Sequence, residues 1–308
     1  MKPLPSFDSA SIDGLLERQS LARFTAARLG GPADYLYIAK DPSYSDLIPL
    51  LEQAWNRQMP VTIIGGGANV LIADAGIRGL TIVNRATEIS HEDEGDEAIV
   101  SASSGTNLIR LSRYCQENGL AGLEWAIAVP GTVGGAVVNN AGAHGGDVAE
   151  ILNRALVFDA EYGERRYAVA ELEYAYRYSR LKERADRCFF ILHAQFQLRR
   201  DGPEAIQRRM EHNNDYRRRT QPPGASLGSI FKNPPGDYAG RLIEAAGLKG
   251  LRVGSVQVSP VHANFFVNTG DDANARDYHE LIDLVRQRVK EAAGLQLELE
   301  IQTLGDWD

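Results

Sequence analysis

Sulfur is scarce in this chain. Two cysteines, Cys115 and Cys188, and three methionines are all that its 308 residues carry. The cysteines stand far apart and fit neither a disulfide framework nor a zinc spacing. Both are expected to be buried as small hydrophobes. Basic charge is also short, with 33 Lys and Arg against 41 Asp and Glu, a net charge of −8. Nucleic-acid binders present a basic footprint, so that class of partner is set aside. No apolar run approaches the ~20 residues of a membrane-spanning helix. The opening M-K-P-L-P-S-F-D has no apolar signal core, and a cytoplasmic protein is expected. H-E-x-x-H, G-x-S-x-G and the kinase signatures are missing, and no metal is expected.

What the chain does have is glycine, 30 residues of it. The densest stretch is 129–146, V-P-G-T-V-G-G-A-V-V-N-N-A-G-A-H-G-G, almost free of charge. A run of this kind is backbone that must pass close to something flat or anionic. Glycine permits the approach because it has no Cβ, and rows of backbone N–H groups cradle phosphates. Two smaller turns share the character, G-G-G-A-N-V-L at 65–71 and S-S-G-T at 103–106, each after a short apolar strand pattern. A Rossmann reading of the first fails. The β-like Val70-Leu71-Ile72 follows it where a helix should open.

The remaining pattern is α+β. A short helix or arm is expected at 11–17, and strands at 35–38, 61–64, 80–83, 98–102 and 189–198. A helix is expected at 45–58, with Leu47, Leu50, Leu51 and Ala54 on one face. The acidic 91–97 reads as a solvated hairpin tip, and 155–159 with 165–169 as a hairpin. Asn107 caps a helix to 118, ended by Gly119. Asp201-Gly202-Pro203 is a sharp break, followed by a basic helix at 204–219 whose Arg217-Arg218-Arg219 run reads as a solvated face. A further helix is expected at 238–246. Asp272 is expected to cap a helix through Ala293, with Tyr278, Leu281, Ile282, Val285, Val289 and Ala292 facing the core. A closing strand at 295–302 turns Leu295, Leu297, Leu299 and Ile301 inward. At this length more than one domain is expected. We divide the chain at 1–84, 85–200 and 201–308, with the last strand packing back on the first part.

Candidate chemistry is sparse: Ser229 in a glycine-flanked loop, Arg177 in an aromatic segment, His262, and the carboxylates Glu298 and Glu300 on one strand face. Each alone has an ordinary structural reading.

Taken together, the motifs are those of a family. T-A-A-R-L-G-G-P-A, G-G-G-A-N-V-L, G-L-E-W-A-I-A-V-P-G-T-V-G-G-A-V-V-N-N-A-G-A-H-G, Y-R-Y-S, G-S-I-F-K-N-P, A-G-R-L-I-E-A-A-G-L-K-G, V-S-P-V-H-A-N-F-F-V-N and L-E-I-Q-T-L-G follow in that order. From about Leu21 to Gly305 the chain resembles the UDP-N-acetylenolpyruvoylglucosamine reductases. The resemblance implies an FAD-binding fold of the PCMH/vanillyl-alcohol-oxidase type, two subdomains gripping FAD and a C-terminal α+β substrate domain. It implies NADPH as reductant and a nucleotide-sugar substrate. Hydride goes to C3 of the enol ether and a proton to C2. Ser229 then matches the family's general acid, Arg177 the cation that stabilises the enolate, and Glu300, by its register to Gly305, the glutamate that supports the acid. FAD contacts are expected from Gly65, Gly66, Gly67, Ala68, Asn69, Val70, Ser104, Gly105, Pro130, Gly131, Thr132, Gly134, Gly135, Asn139, Asn140 and Gly142. Tyr176, Lys232, Asn233, His262 and Asn264 are expected to meet substrate. Departures are His144 for a tyrosine, Ser255 for a glycine and Leu181 for an aromatic. The length implies the shorter family type, without an extra substrate-capping loop. A monomer is expected.

Overall fold

The computed structural model describes residues 5–8 and 12–307. In chain order it runs β1 (Leu15–Ser20), β2 (Pro32–Ala39), α1 (Leu47–Asn56), β3 (Val61–Ile64), β4 (Val70–Ile72), β5 (Ile77–Asn84), β6 (Ile89–Glu94), β7 (Glu97–Ser103), α2 (Leu108–Glu117) and β8 (Leu120–Ala121). It continues with α3 (Val133–Asn139), β9 (Gly142–Ala143), β10 (Gly146–Asp147), α4 (Val148–Ile151), β11 (Leu152–Asp159), β12 (Gly163–Ala168), β13 (Phe189–Arg200) and α5 (Pro203–Thr220). The last part holds β14 (Ala225–Ser229), α6 (Ala239–Ala245), β15 (Arg252–Val253), β16 (Val256–Val258), β17 (Phe265–Asn268), α7 (Ala275–Ala293) and β18 (Gln302–Leu304). This is the α+β class expected. No helix among the described residues is long and apolar enough to cross a membrane.

The chain forms two compact units. Unit 1 comprises 1–16, 36–66 and 79–217; unit 2 comprises 17–35, 67–78 and 218–308. The break at 201–203 opens α5, and the helix stays in unit 1 as far as Arg217.

Unit 1 is built on a sheet of order β12-β11-β13-β7-β6, with β8 also on β13. β13 is its spine, and Phe189, Phe190, Ile191 and Leu192 are all buried, so the strand is covered on both faces. One face meets α2 through Leu108, Leu111 and Cys115. The other places Phe190 edge-on against Tyr44, ring centroids 5.0 Å apart. α2 starts where expected, because Asn107 Oδ1 takes the Ile109 and Arg110 N–H groups. β3 and β5 pair in parallel, Val61 with Leu80 through Ile64 with Val83. That pairing delivers the chain to Gly65.

Unit 2 is a small antiparallel sheet, β14-β17-β16-β15, covered by α6 and α7. Tyr278, Leu281, Ile282, Val285 and Val289 of α7 are fully buried, each contributing about 1.5–3 kcal/mol. The same core takes Ala27, Leu29 and Leu71 from the N-terminal segments. β18 pairs in parallel with β4, Gln302 opposite Val70.

Several local expectations are corrected. The N-terminal helix is β1 instead: Gly14 sits at φ +74, a left-handed turn that breaks any helix across it. Ser11, where that helix was to begin, lies outside the described residues. Much of the acidic hairpin tip is strand, with the turn itself at Gly95-Asp96. The cap of α7 is Asn274, whose side chain accepts from Asp277 N, and Ala292 is exposed. The closing segment is irregular from 295 to 301, apart from a single bridge at Leu299, and is strand only from Gln302; Leu297 and Ile301 are buried while Leu295 and Leu299 are half-buried. Cys115 is buried and Cys188 only partly so.

Candidate active site

Three small-residue turns that the sequence spaces widely come together in unit 1. A Cβ on Gly65 would strike the Thr132 hydroxyl, and one on Gly66 would sit 2.8 Å from Gly131 Cα. The 65–66 turn therefore lies directly against the 131–132 turn, an approach only glycine allows. Gly134 N–H donates to Ser104 O at 2.8 Å, and Val133 N–H to Thr106 O at 2.9 Å. Those bonds hold the 103–106 turn beneath the first residues of α3. Ser104 is itself buried, with Asn84 Nδ2 donating to its Oγ at 2.7 Å and Tyr44 Oη 3.1 Å away. A Cβ on Gly105 would be 2.5 Å from Ala86 O. Pro130 is exposed at the lip of the cluster.

Arg85 was missed by the sequence reading. Its Nη1 donates to Gly65 O at 2.7 Å. It forms no ion pair among the described residues, and dehydration of its guanidinium pulls its pKa down. The signal was available: a lone cation directly after an apolar strand, V-N-R.

The long glycine stretch is not loop throughout. Residues 133–139 are α3, ended by Asn140 at φ +44. Asn140 is buried and fully engaged: its Nδ2 reaches Ala175 O at 3.1 Å, and its Oδ1 takes Ala149 N–H at 3.0 Å. Asn139 differs. Its Nδ2 donates to Gly135 O, while its Oδ1 is buried with no hydrogen-bond partner among the described residues. A buried acceptor without a donor costs about 1–3 kcal/mol, and an incoming N–H would relieve it.

The Y-A-Y-R-Y-S-R-L-K segment is fastened to the end of α3. Tyr174 Oη donates to Val137 O at 2.8 Å and Ser179 Oγ to Val138 O at 2.5 Å. Arg177 lies in the left-handed region at φ +57, and its Nη2 donates to Gly142 O at 3.0 Å. Lys182 Nζ holds the Arg177 carbonyl at 2.9 Å. Tyr176 is exposed, its ring 5.2 Å from the Arg177 guanidinium. Arg177 is thus set beside Gly142 by contacts that sequence spacing does not reveal.

In unit 2, Ser229 ends β14 opposite Phe265, after a bulge and after Gly228 at φ +75. It is half-buried, and its hydroxyl makes no hydrogen bond among the described residues. The next residues run beside the closing segment. Glu300 N–H donates to Ile230 O at 2.8 Å, Phe231 bridges Leu299, and Lys232 N–H donates to Glu298 O at 2.8 Å. Ser229 and Glu300 are therefore neighbours, which 71 positions of sequence hide. Asn69 secures the carboxylate strand: its Nδ2 meets Glu300 O at 3.3 Å and its own carbonyl takes Gln302 N–H at 2.9 Å. Gly67 lies under the Phe24 carbonyl, and Ala68 and Val70 lead into β4.

The expected substrate residues are placed as follows. Lys232 Nζ lies 3.4 Å from Glu298 Oε2. Asn233 Oδ1 takes the Ala239 N–H at the start of α6. Both ends of the buried Asn264 amide bracket Phe231, at 3.0 Å to its N–H and 2.8 Å to its carbonyl. Any effect of Asn264 on a ligand passes through the backbone it holds. His262 Nδ1 accepts from Asn264 N–H at 3.2 Å, its ring tilts on Phe265, and burial lowers its pKa. No cluster of His, Cys, Asp and Glu among the described residues is arranged to hold a metal.

Comparison with known proteins fits this geometry. Residues 37–164 match the model of an FAD binding domain, and residues 220–304 that of the UDP-N-acetylenolpyruvoylglucosamine reductase C-terminal domain. The chain is 42% identical to UDP-N-acetylenolpyruvoylglucosamine reductase of Rubrobacter xylanophilus over 96% of its length and 99% of the relative's. It is 37% identical to the Bacillus pumilus enzyme of that name, over 96% of each chain. The crystal structure of UDP-N-acetylenolpyruvylglucosamine reductase from Thermus caldophilus aligns with a TM-score of 0.79 and 34% identity, covering 94% of this chain and 98% of that one.

Proposed function

This chain belongs to the UDP-N-acetylenolpyruvoylglucosamine reductases, FAD-dependent oxidoreductases of peptidoglycan synthesis, and on that premise we propose how its own residues divide the work. The substrate is the enolpyruvyl ether of UDP-N-acetylglucosamine, the product UDP-N-acetylmuramate and the reductant NADPH. The setting is the cytoplasm, and the enzyme acts as a monomer. In our division, 1–84 and 85–200 serve FAD and 201–308 serves the substrate.

Gly65, Gly66, Gly131, Thr132, Gly134 and Gly135 offer backbone to a pyrophosphate, and Arg85 supplies countercharge beside Gly65. Ser104 and Gly105 support that cradle from below, and the unpartnered Asn139 Oδ1 suits a ring N–H. FAD, when bound, supplies the hydride that the enol ether accepts at C3. The chain's task is the rest: to hold the substrate's carboxylate, to stabilise the negative charge that appears at C2, and to deliver a proton there. Arg177 brings a guanidinium, whose fork meets a carboxylate in two parallel bonds, and preorganised charge of this kind often contributes more to catalysis than any other single effect. Ser229 gives the proton to C2. Glu300 supports it from the adjoining segment, and Lys232 and Asn233 take the diphosphate, with Tyr176 and His262 at the substrate's edges.

The observation that carries this reading is Ser229, a half-buried residue whose hydroxyl has no partner among the described residues and whose next residue is bonded to Glu300. A serine hydroxyl is a weak acid in water. It works only when aligned on a carbon that is becoming a base, a gain of roughly 10²–10⁴-fold. Stopped-flow measurement of the two half-reactions tests it. In Ser229→Ala, reduction of bound flavin by NADPH should stay within about twofold, while reoxidation by the enolpyruvyl substrate slows by roughly 10²-fold or more. Equal slowing of both halves removes Ser229 from the acid role.

A further inference from the structure

The basic helix α5 has a use that the reductase chemistry leaves open. A groove of about 510 Å³ runs between the first half of α5 and the turn joining β9 to β10. Its walls include Glu124, Trp125, His144, Arg208, Arg209 and His212. The acidic side of the groove is already satisfied. The wall carboxylate Glu124 is engaged at both oxygens: Oε1 by Arg209 Nε at 2.9 Å and Oε2 by Gly122 N–H at 2.8 Å. Arg209 is likewise engaged, by Glu124 and by Asp201 at 2.6 Å. Arg208 makes no side-chain hydrogen bond or salt bridge among the described residues, although the Asp201 carboxylate is near enough to attract it. Beside it stand two imidazoles. Burial lowers the His144 pKa, and the positive neighbours His212 and Arg217 lower it further. Tyr216 closes over His144 edge-on at 5.5 Å. Beneath lies Trp125, buried, its indole N–H without a partner among the described residues. The groove therefore offers the Arg208 guanidinium and two imidazoles, while its Glu124 carboxylate is already used.

We propose that this groove binds a small phosphate-bearing anion through Arg208, His144 and His212. A guanidinium and two imidazoles converging on one space match an oxyanion's several acceptors. The groove has room for a phosphate ester as well as for the inorganic ion. Such an anion would favour the protonated form of His144, and binding would draw in a proton. The groove adjoins Gly146 of β10, which pairs with Ala143 of β9, the neighbour of Gly142, whose carbonyl Arg177 holds. Occupancy is thereby linked to the glycine stretch without touching a reacting group.

The test is calorimetric titration of the FAD-loaded enzyme with inorganic phosphate, sulfate and glycerol 3-phosphate, followed also by the indole N–H signals of its three tryptophans. Saturable binding is expected, with the signal that Trp125→Phe removes being the one that moves. Arg208→Ala should weaken binding at least tenfold and His212→Asn several-fold, both with unchanged melting temperature, since both side chains are exposed. Sulfate keeps its charge across the histidine range, so its affinity should rise as pH falls from about 8 to about 6. Tighter binding of glycerol 3-phosphate than phosphate assigns an ester; phosphate alone assigns the inorganic ion, and either supports the site. Absence of saturable binding at millimolar concentration overturns it. So does binding that Arg208→Ala leaves intact, which would place the anion elsewhere. Neither result bears on the reductase reading, which rests on Ser229, Arg177 and Glu300.

Discussion

Arg85 shows how much a single side chain can settle. Its guanidinium is exposed and has no carboxylate partner among the described residues, so it is open to an anion. Its bond to Gly65 O leaves it beside the turn we assign to the pyrophosphate. Arg85→Met should therefore raise the FAD dissociation constant of the apoprotein at least tenfold and flatten its salt dependence. Flavin-fluorescence quenching at two ionic strengths measures both, and an unchanged constant discards the assignment. His262 makes a second case. Burial lowers its folded-state pKa, so the unfolded chain takes up the proton first. The stability it contributes is present above the unfolded value near 6.5 and is lost as pH falls through the lower folded value. The melting temperature should drop between about pH 7 and about pH 5, and His262→Gln should make that drop shallower. His193 and His144 shift the same way, so the slope should diminish rather than vanish.

At the scale of elements, what sequence reveals depends on whether a local pattern is self-sufficient. α1, α2 and α7 were legible because a 3.6-residue stripe and a cap or stop are written in the chain itself. α3 was not. Gly134 and Gly135 each weaken a helix by about 1 kcal/mol relative to alanine, so no propensity marks it. It forms because Ser104 O and Thr106 O receive its first N–H groups and Tyr174 and Ser179 hold the carbonyls of Val137 and Val138. The candidate acid was legible only through motif order; its pairing with Glu300 rests on a bulge and a bridge that no periodicity encodes. Asn274 replaced Asp272 as a cap because both residue types cap equally well, and only the fold selects. Ser179→Ala should cost about 1–3 kcal/mol in urea unfolding, leaving a buried carbonyl unmet, and should weaken FAD binding as α3 loosens. Loss of stability with FAD affinity intact would separate the clamp from the cofactor.

For the whole molecule, the decisive fact is that unit 2 is assembled from three separated stretches. Its core needs Ala27, Leu29 and Leu71, and β18 needs β4. A fragment of residues 218–308 should therefore lack a cooperative melting transition by circular dichroism. A fragment carrying 17–35 and 67–78 joined to it by short linkers should regain one. Cooperative melting of 218–308 alone would show that the N-terminal stretches are dispensable.

The pairing of β4 with β18 also fixes an order in time. On the ribosome, Val70–Ile72 must wait for Gln302–Leu304, some 230 residues later. At roughly 5–20 residues per second that is more than ten seconds with an apolar edge unmatched. Unit 2 therefore cannot close while its message is still being read, and a premature stop that removes only the last few codons strikes the first strands made as hard as the last.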